Sequence, residues 1–147
     1  MPTLHLGVID LPYTDTEGVT TGDVAGWLED KYHILEIFSQ EHMQEIADSL
    51  EDGLSGALES LLMGAPAAEG DPFAGGAAKI EEKMKDFISN NEMALLGYPG
   101  VPTQAALDRA SGQKTNARKA RKRSSNAVAV SFYDSGLYQS SMKAWVA

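Results

Sequence analysis

A chain of 147 residues without cysteine must draw any chemistry from its histidines, carboxylates, hydroxyls and cations. His42 and Glu45 stand three residues apart and can share a helix face with Glu41, a spacing suited to holding a metal ion. Two such ligands without a second pair do not complete a site, so a solvated helix face is the expected role. His5 and His33, the other two histidines, read as structural. Gly53-Leu-Ser55-Gly56-Ala57 has the first glycine of a nucleophile elbow and lacks the last, and it lies in a helical pattern. The glycines at Gly70, Gly75 and Gly76 have no Gly-Lys-Ser or Gly-Lys-Thr after them, so there is no phosphate-binding loop. No enzyme, metal or other cofactor is expected.

What stands out instead is charge. Lys114, Arg118, Lys119, Arg121, Lys122 and Arg123 put six of the twelve Lys and Arg into ten residues. Up to Asp108 there are 20 acids against 4 bases, a net of −16, and from Arg109 onward 8 bases against 1 acid, a net of +7. Together they give the −9 of the whole chain. Unpaired cations cost several kcal/mol each to bury, so this run must face water, a polyanion or an acidic partner. It could neutralise several phosphates, with steeply salt-dependent binding. It has no interleaved aromatics to stack on bases, however, and the rest of the surface is acidic. A solvated or partner-docking arm over 111–126, or a contact between subunits, is therefore weighed ahead of nucleic acid.

These residues need elements to hold them. Leu4, Leu6 and Val8 alternate as in a strand with one buried face, ended by Pro12. Thr20 and Thr21 offer a helix N-cap, with Asp23 placed as a capping-box acid. From Val24 to Met63 apolar residues recur at helical spacing between acids, which predicts one long amphipathic helix or two in series. Gly53 and Gly56 in its interior point to close packing against another backbone or to a kink. Residues 65–78, rich in Ala, Gly and Pro, read as a mobile loop. Ile80, Met84, Phe87 and Ile88 mark a second helix, with Asn90 and Asn91 suited to its C-cap, and Thr103 can cap a short helix through Ala110. Gly97-Tyr-Pro-Gly-Val-Pro102 reads as a rigid loop, or as a docking loop presenting Tyr98. Val128, Val130 and Phe132 alternate as a strand, Asp134-Ser-Gly136 turns, a helical turn can occupy Leu137–Ser140, and Met142, Ala144 and Val146 alternate again. Trp27 and Trp145 are expected to be core or interface anchors.

The expected fold is α+β, with long amphipathic helices packed on a small, mainly antiparallel sheet formed by the terminal strands. A chain of this length can bury roughly 68–70% of its unfolded surface as one domain, residues 1–147. The absence of cysteine fits a reducing compartment, and neither a signal peptide nor a membrane-spanning stretch is visible, so a soluble protein, intracellular when made, is expected.

The ending Ser131-Phe-Tyr-Asp134-Ser-Gly136-Leu137-Tyr-Gln-Ser-Ser141-Met-Lys-Ala-Trp-Val146 resembles that of neck proteins of tailed bacteriophages, the tail-completion or head-tail joining group. Asp134, Ser135, Gly136, Leu137, the Ser140-Ser141 pair and the Met142–Val146 strand carry the resemblance. The order of long helices, an Ala/Gly-rich interruption, a Lys/Arg-rich segment, then a terminal turn and strand is similar too. The resemblance implies a virion structural protein of the neck, assembled in the host cytoplasm as a homo-oligomeric ring of six or twelve copies. Its neighbours would be connector, portal-adaptor or tail proteins, with possible nonspecific contact to packaged DNA and no membrane. A tail terminator or minor capsid protein is the alternative within that class. A small nucleic-acid-organising or regulatory protein is the alternative outside it.

Overall fold

The computed structural model describes residues 1–14, 17–66, 71–111, 131–132 and 136–147. Along the chain run β1 (Leu4–Val8), α1 (Thr21–Tyr32), α2 (Ile34–Glu41), α3 (Met43–Leu62), α4 (Ala74–Ser89), α5 (Glu92–Leu95), α6 (Gln104–Ser111), α7 (Leu137–Ser140) and β2 (Met142–Val146). The fold is α+β: helices pack on a two-stranded antiparallel sheet of β1 and β2, as the alternation at both ends predicts. Leu4 lies opposite Val146, Leu6 opposite Ala144 and Val8 opposite Met142, and Thr3 and Ala147 exchange backbone hydrogen bonds of 2.7 and 2.9 Å beyond them. Because side chains alternate along a strand, this register collects Leu4, Leu6, Val8, Met142 and Ala144 against the core.

The start of α1 is set by two adjacent threonines with different tasks. Thr20 is the N-cap, its hydroxyl accepting from the Asp23 amide at 3.3 Å while Asp23 accepts from the Thr20 amide at 3.1 Å, the expected capping box. Thr21 is fully buried. Its hydroxyl donates to the Ile9 carbonyl at 2.5 Å and accepts from the Leu11 amide at 2.8 Å, clamping the chain that leaves β1 onto the first turn of α1.

The apolar periodicity over Val24–Met63 belongs to three helices rather than to one or two. His33 takes a left-handed conformation, φ 52°, between α1 and α2. The Glu29 carboxylate then accepts from the amides of Leu35 at 2.8 Å and Glu36 at 3.1 Å, so a side chain of one helix satisfies the exposed donors of the next. His42, at φ −108° and ψ 18°, makes the second break.

Two further expectations are corrected. The loop expected at 65–78 is shorter, because α4 already begins at Ala74. Its small residues are there for proximity: a Cβ on Gly76 would lie 2.5 Å from the Ser49 carbonyl oxygen and 3.0 Å from the Leu50 Cα, and one on Gly53 would lie 2.9 Å from the Gly76 amide nitrogen. The close packing expected of Gly53 is thus with Gly76, whereas Gly56 has open space beside it. The third strand is absent among the described residues. Val128 and Val130 lie outside them, and Phe132 sits in a turn at φ 63°.

Substituting Gly76 by Ala must push α4 away from α3, and we expect a loss of about 2–3 kcal/mol in urea denaturation. Gly26, exposed in the middle of α1 with nothing near its Cβ position, is the control, and Gly26→Ala should stabilise by up to about 1 kcal/mol. Equal effects at the two positions would contradict the close approach.

Candidate functional site

The segment that carries the resemblance folds back onto α4. Gly136 has φ 81° and ψ −2°, a left-handed conformation that favours glycine, and its carbonyl accepts from the Ser140 amide at 2.9 Å as α7 begins. Leu137, half-buried, opens that helical turn. Asp134, named with Gly136 as a turn residue, lies outside the described residues. Tyr138 is buried in the core cluster, and burial pushes its phenol above the ordinary tyrosine value. Gln139 reaches α4 from the other side of the turn, donating to the Lys85 carbonyl at 2.8 Å and to the Ser89 hydroxyl. Met142 then enters the core as β2 starts.

An ion-pair cluster ties β2 to α4. Glu81 accepts from Lys85 at 2.7 Å and from Lys143 of β2 at 2.9 Å. Burial acts to raise its carboxyl, but the two lysines outweigh burial through their hydrogen bonds and charge, and hold it below the ordinary value of 4.5. On the opposite flank of α4, Lys79 pairs with Asp52 at 3.1 Å and Lys83 with Glu45, whose carboxyl its hydrogen bond also holds down.

Trp145 is not a core anchor. Met142, Ala144 and Val146 take the inward positions of β2, so Lys143 and Trp145 face outward, and Trp145 is 45% exposed. Its indole stacks on His5 at 5.4 Å between centroids and 12° between planes, and lies over Gly7, where a Cβ would be 3.2 Å from the ring. Trp27, at 60% exposure, is not a core residue either. Their expected place at an interface between chains is a separate matter, taken up in the functional proposal.

The histidine site departs from expectation differently. Glu41 accepts from the Tyr98 hydroxyl at 2.6 Å, which binds the 97–102 loop to the end of α2 and leaves the tyrosine engaged. His42 is not on a solvated face: its ring lies 5.1 Å from Phe38 and 5.7 Å from Phe87, with Nε2 2.9 Å from a Glu92 carboxylate oxygen. Nδ1 is 3.5 Å from Glu45, too long for a good hydrogen bond. The imidazole thus joins the α2–α3 junction to α5. Among the described residues, no group of three or more His, Asp or Glu side chains is placed to hold a metal ion.

Lys114, Arg118, Lys119, Arg121, Lys122 and Arg123 lie outside the described residues. The described lysines are already engaged: Lys79, Lys83, Lys85 and Lys143 in ion pairs, and Lys31 over the Tyr32 ring at 5.2 Å. Asp30, Glu51, Glu59, Glu82 and Asp86 are exposed carboxylates. None of these five has a cationic partner among the described residues. These lysines are used internally, and the exposed charge left over among the described side chains is acidic.

Buried polar clamps went unread in the sequence. Ser131 is buried, its hydroxyl accepting from the Thr103 amide at 3.0 Å while its own amide donates to the Asn91 side chain at 3.3 Å. Its partners are 28 and 40 residues away, beyond any periodicity. No protein family, curated protein or solved structure matches this chain.

A carboxyl held below its unfolded value stabilises the fold fully above the ordinary glutamate range, and that contribution is lost as pH falls through the depressed folded value. Glu81→Gln is therefore expected to cost on the order of 1–2 kcal/mol near pH 7, from two charge-assisted hydrogen bonds, and much less near pH 3. Thermal melts across that range check it, and a pH-independent loss would contradict the assignment. Gly136→Val should cost on the order of 1–3 kcal/mol through backbone strain, and Trp145→Ala only about 1 kcal/mol for a half-exposed stacked ring. Urea denaturation of both variants ranks them, and the reverse order would mean that Trp145 is the anchor after all.

Proposed function

We propose that the protein is a bacteriophage virion structural protein of the neck, a tail-completion or head-to-tail joining subunit assembled into a ring. The observation that carries the reading is the C-terminal unit. The residues resembling the ending of that group, Gly136, Leu137 and the Met142–Val146 strand, form a left-handed turn, a helical turn and a strand locked to α4 and to the N-terminal strand. Both chain ends are thereby held in one small sheet, leaving the helical surface for neighbours.

Charge supports the same reading. Exposed carboxylates on α1, α3 and α4, without cationic partners among the described residues, offer negative charge to a neighbour, and the sequence supplies six cations at 114–123. In a closed ring each copy presents one patch to a different patch of its neighbour, and opposite charges register such a heterologous contact. The basic segment of one copy would meet those carboxylates on the next, in a ring of six or twelve. Exposed Trp27 and Trp145 suit the same kind of contact, because aromatic residues are enriched at interfaces. Connector, portal-adaptor or tail proteins would lie above and below, and packaged DNA would meet the segment only nonspecifically.

Replacing Arg121, Lys122 and Arg123 together by Ser tests this. We expect the variant to melt like the wild type and to fail in joining heads to tails in an in vitro assembly assay. Tight duplex binding by the isolated wild-type protein at physiological salt, abolished by the triple change, would favour the nucleic-acid reading instead.

A further inference from the structure

Hydrogen bonding along β1 is one-sided. Thr3 exchanges both backbone bonds with Ala147, and Ile9 donates to the Ser141 carbonyl. In this antiparallel ladder Thr3, His5, Gly7 and Ile9 therefore turn their amides and carbonyls toward β2, while Leu4, Leu6 and Val8 turn theirs the other way. Those three amides and three carbonyls have no hydrogen-bond partner among the described residues. The outer side of β1 is an open sheet edge, a row of backbone groups that another strand would complete.

The edge is also unguarded. Native edge strands commonly carry charges, prolines or bulges that oppose pairing. From Thr3 to Ile9 there is no Asp, Glu, Lys, Arg or Pro, and the register with β2 runs from Leu4 to Val8 without a bulge. The outer edge of β2 differs. Lys143 stands on the outward face of the sheet, whereas Glu81 lies on α4 behind it, and β1 occupies the other side. Their 2.9 Å pair must therefore pass around the outer edge of β2 and guard it.

We propose that the β1 edge pairs with the β1 edge of a second copy, antiparallel about a two-fold axis at Leu6, so that the two sheets join into one. Leu4 then lies opposite Val8 of the second copy and Leu6 opposite its own counterpart, and each such pair exchanges both of its free backbone bonds. The side chains agree with this register. Leu4, Leu6 and Val8 face the core in both copies, so apolar face meets apolar face. On the outward side His5 lies opposite Gly7 of the second copy, in the closely spaced kind of pair. Over Gly7 lies the Cζ3–Cη2 edge of Trp145, 3.4 and 3.2 Å from the position of a Cβ. The imidazole of one copy thus comes beside the indole of the other, and the His5–Trp145 stack continues across the axis.

These features favour a second copy over other occupants. The chain has a net charge of −9, and β1 is the described strand without Asp, Glu, Lys or Arg, so two copies can meet there with no carboxylates opposed. The β2 edge of a neighbour would have to displace its own Lys143–Glu81 pair to dock. A segment of a different protein would need apolar residues at alternate positions and a small residue opposite His5, which a second β1 already has. An isologous pair closes on itself and uses no part of the 114–123 segment, so it goes beyond the neck reading and does not depend on it.

Amide hydrogen exchange of the full chain, resolved by residue with NMR at about 50 µM and about 1 mM, tests it. We expect the Leu4, Leu6 and Val8 amides to exchange freely in the dilute sample and to slow by about tenfold or more in the concentrated one. The His5, Gly7 and Ile9 amides, already bonded to β2, should be protected in both. Sedimentation velocity over the same range should show monomer passing to dimer. His5→Asp, an exposed change that sets a carboxylate on either side of the axis, should weaken that dimer about tenfold. Free exchange of the Leu4, Leu6 and Val8 amides at both concentrations overturns the pairing. Their protection in a sample that stays monomeric overturns it too, and assigns the edge to another part of the same chain. A dimer that leaves those amides unprotected, or that His5→Asp leaves at full strength, overturns it by placing the contact elsewhere. None of these results bears on the Arg121, Lys122 and Arg123 triple change in assembled particles, so the two proposals fail separately.

Discussion

The backbone-to-backbone approach of α4 to α3 at Gly76 fixes where the rest of the chain can go. Because only hydrogen fits between Gly76 and the Ser49 carbonyl, α4 lies close enough for Lys79 and Lys83 to reach acids on α3 on one flank. The same placement turns Ile80, Met84, Phe87 and Ile88 into the centre of the core, where α2 delivers Phe38 and the sheet delivers Met142. On the far flank Glu81 meets Lys143, so β2 is attached to α4 by charge as well as by apolar contact. One helix therefore relates the acidic α3 to the strand that pairs the two chain ends.

Much of this was legible in the sequence, because the elements that matter most have strong local signals. Period-two alternation at both ends gave the strands, the Thr20-Asp23 capping box gave the start of α1, and the Ile80–Ile88 spacing gave α4. Where the reading failed, long-range contact overrode local composition. Gly75-Gly76-Ala77-Ala78 has the composition of a loop, yet small residues are what a close helix crossing requires, and only the presence of α3 opposite distinguishes the two. The breaks at His33 and His42 were hidden because the apolar spacing persists across them, while Glu29 supplies the cap from a distance. Trp145 shows the converse. Its outward position follows from the alternation that placed Met142, Ala144 and Val146 inward, and size alone made it look like an anchor.

Of the candidate functional residues, the terminal turn was readable because glycine has a specific backbone use there, and φ 81° at Gly136 is that use. The basic cluster is legible only as charge. Its meaning comes from the described remainder, where the lysines are occupied within the chain and the carboxylates are left over. The chain thus engages its described lysines internally and concentrates six further cations in one segment. The internal pairs are local and partly screened, whereas a dense segment interacts as a block, with a reach set by the Debye length of about 8–10 Å.

A similar division runs along α3. Its first half is committed to the core through Ile46, Ser49 and the glycine crossing, and its second half carries an apolar stripe that stays exposed among the described residues. An apolar stripe adds nothing to the stability of a monomer if it faces only water. The contacts among the described residues therefore give no reason for leucine at 54, 58 and 61, where any good helix former would preserve α3. Leu50 marks the changeover, because it is the last residue of the stripe that the core still covers. Up to that turn the residues of α3 are determined by the fold of one chain. Past it Leu54, Leu58 and Leu61 are about half exposed, with one carboxylate between Gly53 and Met63, and the contacts among the described residues do not determine them.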